Sequence, residues 1–410
     1  MKKRTTRTTR IAAAVAVGAM TLGLAACGGD DAGSGTADGP TPVVVWDYLG
    51  QGVSDTAMKA AIAEFESDNP QYVIERTSFA YSDLAKSIVQ GGVGGSVPDV
   101  AVVDVVDTQS FAALGLLEDV TADLGASAAD FFPGPWSSTQ ADGKTFGLPL
   151  NSNNLALYYN KEYFAAAGVE APSTWEELRA TAKAVTDSDH NGIAMSAVKN
   201  EQGTFQFLPF LWQTGGDLDT FATDGAEALG LLAGLVADGS MSSAVANYSQ
   251  EDARTQFVTG KTAMMINGPW ELQNLEDAGI DYGVAPLPAG EVAATGLGGE
   301  NVVTFAQGKN VEGGKAFMTY LASAKGSKTY CDASGQLSAR VDLAGTLAMS
   351  DNPDMKVFED QLDVAHARVG AKYGEISAAV QEALQLVITG AATPADAAAR
   401  AASTITPLLG

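Results

Sequence analysis

Two cysteines, two histidines and 49 acidic side chains are the groups in this 410-residue chain with most scope for reactive chemistry. Their spacing excludes much of it. His190 and His366 have no partner cysteines and no His-Glu-x-x-His spacing, so neither zinc nor another metal is expected. The chain lacks a Gly-x-Ser-x-Gly elbow and a glycine-rich phosphate loop, which leaves no nucleophile or nucleotide cofactor to propose. With so many acids, a chance pair of carboxyls at glycosidase separation remains open. Cys331, in Tyr330-Cys331-Asp332-Ala333, reads as a buried inert thiol. Cys27 is different. It closes Leu24-Ala25-Ala26-Cys27 after a basic head (Lys2, Lys3, Arg4, Arg7, Arg10) and an apolar run over residues 11–24. The run is too short to span a bilayer and ends in small residues, which is how a cleaved secretory leader reads.

The whole stretch resembles a bacterial lipoprotein signal. Residues 1–26 would then be removed and Cys27 would carry lipid, each buried methylene adding about 0.8 kcal/mol to membrane binding. The alternative is an ordinary secreted protein with a chance cysteine. Residues 27–40 are rich in Gly, Asp, Ala and Ser and have little to bury, as in a flexible linker. The remaining body, about 370 residues, exceeds what one core usually organises, so two lobes are expected. No second apolar stretch reads as long enough to span a bilayer. A formal net charge of −25 argues against nucleic acid and against anionic lipid as partners of the folded body.

Short apolar runs alternate with helical periodicity, the pattern of an α/β fold with largely parallel sheets. Val43, Val44, Val45 and Trp46 form a buried-strand pattern. Met58, Ala61, Ile62 and Phe65 then recur at helical spacing up to Asn69-Pro70. Residues 72–77 and 100–103 read as the next strands, with a helix between them capped by Ser82 and ending at Gln90 before a glycine loop. Ser173-Thr174-Trp175-Glu176 reads as a capping box, Asp224 to Glu227 as an acidic version, and Thr393-Pro394 as a helix start after Gly390. Loops leaving the carboxyl ends of such strands gather at one crevice. Residues 47–54, 79–82 and 104–108 are those loops.

Five segments, in order, resemble the type 1 extracellular solute-binding proteins of ABC importers, the group that includes maltose-binding protein. They are Pro98-Asp99-Val100 with Asp104, Asp107 and residues 115–119; residues 147–154 followed by Leu157-Tyr158-Tyr159-Asn160-Lys161; Pro172 to Leu178; the run from Gly260 to Asn267-Gly268-Pro269-Trp270; and Tyr282 to Pro288. The resemblance spans nearly the whole body. It implies a periplasmic-binding-protein-like fold of type II, two α/β lobes joined by a multi-strand hinge with a ligand cleft between them. Residues 41–152 plus 287–338 would form lobe I, and 153–286 plus 339–410 lobe II. Crossings are expected at residues 151–154, 285–288 and 336–341.

The resemblance also implies where ligand would touch. Trp270 would lie flat under a sugar ring, apolar on its face and polar at its N–H, with Gly268 allowing close backbone approach. Asn153 stands where the family often has a carboxylate, beside Asn151. Asp107, and with it Asp104, matches an acid that accepts sugar hydroxyls or caps a helix. Tyr48, Gly50 and Gln51 follow the first strand, with Trp46 and Asp47 as wall, and Tyr81 follows the second. Thr204, Phe205 and Gln206 precede a helix in lobe II. Glu300 sits in a Gly298-Gly299-Glu300-Asn301 loop that closes over ligand, Tyr373 neighbours the Ser377 position of an aromatic platform, and Arg340 pairs with a cleft acid or the other lobe. The expected function is a monomeric carbohydrate-binding component of an ABC importer on the extracellular face of the bacterial membrane. Its partners would be a small sugar and permease subunits. Binding of iron, phosphate, polyamine or an amino acid derivative, or a lipid-anchored glycosidase, are the alternatives. Tyr158-Tyr159 would serve packing, because adjacent strand residues point to opposite faces.

Overall fold

The sheet that carries one wall of the cleft is ordered by alternation in its strands. In the computed structural model, which describes residues 39–122 and 128–409, β1 (Thr41–Asp47) is followed by α1 (Gly52–Asp68), β2 (Tyr72–Ser78), α2 (Tyr81–Gly94), β3 (Val100–Asp104) and α3 (Asp107–Ala113). The leader and Cys27 lie outside the described residues. β2, β1 and β3 pair in parallel, and the strands Glu300–Thr304 and Leu148–Pro149 complete a five-stranded sheet with antiparallel pairing. Val43, Val45, Val100, Val102 and Val302 face one hydrophobic cluster, which α1 joins through Ala57, Met58, Ala61 and Phe65. Ala101, Val103 and Val303 face another, with Leu84 and Ile88 of α2. One residue of register therefore decides the layer.

A second sheet of four strands runs in the order Tyr282–Ala285, Ala156–Asn160, Thr262–Asn267 and Asn191–Ala194. Two of its three pairings are antiparallel, so the parallel pattern expected from sequence holds only in part. Tyr158 and Tyr159 do point to opposite faces. Tyr158 is buried and donates to the Gly268 carbonyl at 2.6 Å, while Tyr159 packs on Phe164. The helices Tyr373–Ile388 and Pro394–Ile405 pack on this lobe's larger core. The helical run Leu218–Ala237 is long and apolar enough to cross a membrane, contrary to the expectation of no such stretch. Leu229, Leu232 and Leu235 place it in that core instead.

Several boundaries differ from the sequence reading. Leu287 and Ala294 pack into the second lobe's core, and the chain returns to the first sheet at Gly298–Glu300 rather than at residue 287. Glu300 is thus the first residue of a central strand and not part of a lid loop. Ala339 packs into the first core and Arg340 pairs with Phe131, so residues 338–347 stay with lobe I, and lobe II resumes near Met349 and Met355. α2 starts at Tyr81 without a side-chain cap and runs on through Gly94. The box expected at Ser173 is shifted by one residue: the Thr174 hydroxyl accepts from the Glu177 N–H, and the Glu177 carboxylate accepts from Ser173. Asp224 lies inside a short π-helical turn and caps nothing.

Candidate ligand-binding site

The first wall of the cleft begins with a buried ion pair. Asp47, ending β1, accepts from Arg76 Nε at 2.5 Å and from the Leu49 N–H at 3.0 Å, and Arg76 also donates to the Leu49 carbonyl at 2.8 Å. These bonds fix the turn that presents Tyr48, whose ring stands edge-on to Tyr81 with centroids 4.9 Å apart. The two hydroxyls reach different acids. Tyr48 donates to Glu300 Oε1 and Tyr81 to Asp104 Oδ2, each at 2.8 Å. Burial pushes the Glu300 carboxyl up to about 7, against the Tyr48 hydrogen bond that lowers it.

The second wall is built around Trp270. The fully buried strand Thr262–Asn267 ends in Gly268, over which the indole folds; a Cβ there would sit 2.1 Å from the ring. Pro269 opens the short 3-10 turn that carries Trp270. Glu271 behind it is buried and accepts from Arg254 at 3.2 Å, Asn274 at 2.8 Å and Asn267 at 3.3 Å. Those bonds lock the platform to the helix Gln250–Val258, which Gln202 anchors in turn through the Gln250 N–H at 3.1 Å.

Between the walls lies a cleft of about 720 Å³, within the ~300–1,000 Å³ typical of small-molecule sites. Tyr48, Gln51, Tyr81, Asp104, Asn153, Phe205, Trp270 and Glu300 line it, with Gly50. Arg368, Gln202, Gln250, Arg254 and Gln336 also line it and were missed from sequence. Gln250 lies within a readable capping box, between Ser249 and Asp252, and Gln336 lies in an expected crossing. Arg368 carries no local signal. It is buried, its guanidinium lies 4.0 Å over the Phe205 ring, and it pairs with Glu201 and, at 3.5 Å, with Asp104. Burial opposes that charge, but the nearby carboxylates hold the guanidinium above its ordinary range.

Other expected contacts sit behind the lining. Thr204 and Gln206 lie within the helix Glu201–Gln213, fully buried; Thr204 bonds Ser377 at 2.7 Å, and Gln206 accepts from the Ser196 N–H at 2.7 Å. Asn151 is fully buried and its Oδ1 accepts from the Glu300 N–H at 2.9 Å. Tyr373 is pulled into the core and donates to Glu201 at 2.8 Å. Arg340 grips Asp342 with two bonds of 2.8 and 2.9 Å and the Ala322 carbonyl at 3.0 Å, all on the lobe I side. Gly268 supports the indole from beneath. Asp107 opens α3 without a cap bond and outside the lining, where burial and the neighbouring Asp104 and Glu201 hold its carboxyl well above the usual range. Burial likewise pushes the Cys331 thiol up to about 12, and no metal-binding cluster occurs among the described residues.

Several characterised proteins resemble this chain in sequence and in fold. The maltooligosaccharide ABC transporter solute-binding lipoprotein of Streptococcus pneumoniae R6 is 29% identical over 78% of each chain. The galactooligosaccharide-binding protein of Bacillus subtilis is 25% identical over 94% of each. The GacH receptor of Streptomyces glaucescens, solved unliganded and with acarbose, is 27% identical with a TM-score of 0.81, covering 90% of this chain and 98% of that one. A Thermotoga lettingae ABC transporter solute-binding protein bound to α-D-tagatose is 26% identical with a TM-score of 0.82, covering 90% and 100%. Residues 50–328 match the family signature itself. With its two lobes and intervening cleft, the chain belongs to the bacterial extracellular solute-binding proteins.

Proposed function

We propose that this protein captures a mono- or oligosaccharide outside the cell by hinge closure and delivers it to the permease of an ABC importer. The observation that carries the reading is the pairing of Trp270 on one lobe with a carboxylate- and tyrosine-lined wall on the other, Tyr48, Tyr81, Asp104 and Glu300. A pyranose has apolar C–H faces for an indole and a hydroxyl rim for acids and amides. Asn153, Gln51 and Phe205 complete the proposed contacts. The names of the relatives, several of which bind oligosaccharides, support the same class. Cys27 anchors the chain as a monomer by lipid, and the linker keeps it near its permease, where tethering raises effective concentration. Capture involves no catalytic step.

Ligand favours closure only through its extra affinity for the closed form. A micromolar sugar supplies about 8 kcal/mol to divide between contact and closure. The test is thermal shift and tryptophan fluorescence of the protein lacking residues 1–27, against maltotriose, galactotriose, tagatose and a wider sugar panel. A saturable rise in Tm, with the sugar recovered unchanged, supports capture. No response to any sugar sinks the assignment, and breakdown of the sugar favours the glycosidase reading.

A further inference from the structure

Three crossing segments meet side by side at the floor of the cleft. Ser152 and Leu337 exchange backbone hydrogen bonds of 2.8 and 3.1 Å, and Asn153 and Gly298 exchange bonds of 3.1 and 2.8 Å. This antiparallel register puts Gln336 across from Asn153 on one side and Glu300 across from Asn151 on the other. Each segment contributes one cleft-lining polar side chain that is more than nine-tenths buried: Asn153 at 4% exposure, Glu300 at 7% and Gln336 at 4%. Each also leaves an oxygen without a partner, Asn153 Oδ1, Glu300 Oε2 and Gln336 Oε1. Gln250 Nε2, across the cleft, is an unpartnered donor. Orphaned buried polar atoms cost stability in the empty protein, and a ligand that supplies the missing partners recovers it.

We infer that Asn153, Glu300 and Gln336, one from each crossing, form a subsite for a sugar ring presenting adjacent hydroxyl groups, so that the ligand is held by the hinge itself. The inference rests on the carbohydrate reading and narrows it to ligands with a run of hydrogen-bond donors along one edge. Gly298 makes room, since a Cβ there would meet Asn153 Oδ1 at 2.1 Å and the Phe205 ring at 2.9 Å. The groups facing Glu300 are Tyr48 after β1, Asp104 at the end of β3, and Tyr330 and Cys331 from the helix Ala324–Ser334. The cleft cation Arg368 is engaged by Asp104 and Glu201, and Arg254 by Glu271. A hydroxyl donated to Glu300 favours its ionised form, so capture releases a proton and affinity rises with pH through about 7.

Calorimetric titration of wild type, Q336A, Q336N, E300Q and W270A with whichever of maltotriose, galactotriose or tagatose binds, at pH 5.5 and 8.5, tests this. Q336A is expected to bind at least tenfold more weakly, with Q336N intermediate and also usable should Q336A fold poorly. Wild type is expected to bind several-fold more tightly at pH 8.5, and E300Q to lose that dependence. If both positions keep wild-type affinity and pH profile while W270A loses binding, the subsite is wrong and the carbohydrate reading stands. If wild type binds no sugar at either pH, both fall.

Discussion

Two cleft side chains with opposite surroundings define the site's energetics. Trp270 is half-buried over Gly268 and lines the cleft, where the proposed sugar would stack on it. Trp270→Ala should therefore weaken sugar binding at least tenfold, about 1.4 kcal/mol or more, with a much smaller effect on the melting temperature of the empty protein. Arg368 is buried with carboxylates on two sides, Asp104 from lobe I and Glu201 from lobe II. Arg368→Met leaves both acids buried without a cation, a loss on the order of 3–5 kcal/mol. Burial already raises the Glu201 carboxyl, and loss of the guanidinium raises it further. An acid with a raised folded pKa costs stability as pH climbs above its unfolded value, so the defect should be largest near pH 8 and shrink toward pH 5. Urea melts across that range measure it, and a defect independent of pH would contradict the account.

Elements were legible where local pattern and tertiary packing agree. β1, α1, β2 and β3 could be read because alternation and helical spacing name the buried residues directly, as Val43 and Val45 or Met58 and Ala61 show. The Trp270 turn was readable for a similar reason, since its glycine, proline and indole are consecutive. Arg368 was not, because its partners lie 264 and 167 residues away and nothing near it in sequence marks the meeting. The return crossing was misplaced by about ten residues: Pro286 and Pro288 looked like its punctuation, whereas Leu287 is drawn into the second core and Gly298–Gly299 make the turn. Gly299 has φ +134°, and a Cβ there would lie 2.6 Å from the Asn151 carbonyl. Gly299→Ala should destabilise by about 1–3 kcal/mol, seen as a lower urea midpoint. An unchanged midpoint would mean that this crossing relaxes freely.

At the scale of the whole molecule, two lobes were legible from length and the cleft from strand-end loops, while the path of residues 338–347 was not. Ala339 and Arg340 return to lobe I because an apolar side chain finds the first core and a guanidinium finds the Ala322 carbonyl, preferences that sequence alone does not rank. Anchoring is tested at this scale too. Cys27→Ser should move the protein from the membrane fraction to the medium while leaving sugar affinity within about twofold, because the tether acts through concentration rather than contact. Retention in the membrane fraction would sink the lipid assignment.

The burial of Cys331 has a practical consequence. It is the one cysteine among the described residues, and with its thiol pushed to about 12 almost none of it is thiolate at neutral pH, so alkylating reagents should pass it by. The protein lacking residues 1–27 keeps Cys331 as its one cysteine, so introduced cysteines can be labelled selectively. A fluorophore pair on cysteines introduced at the exposed positions Val93 and Val292, one on each lobe, could follow opening and closing in single molecules without first mutating the core.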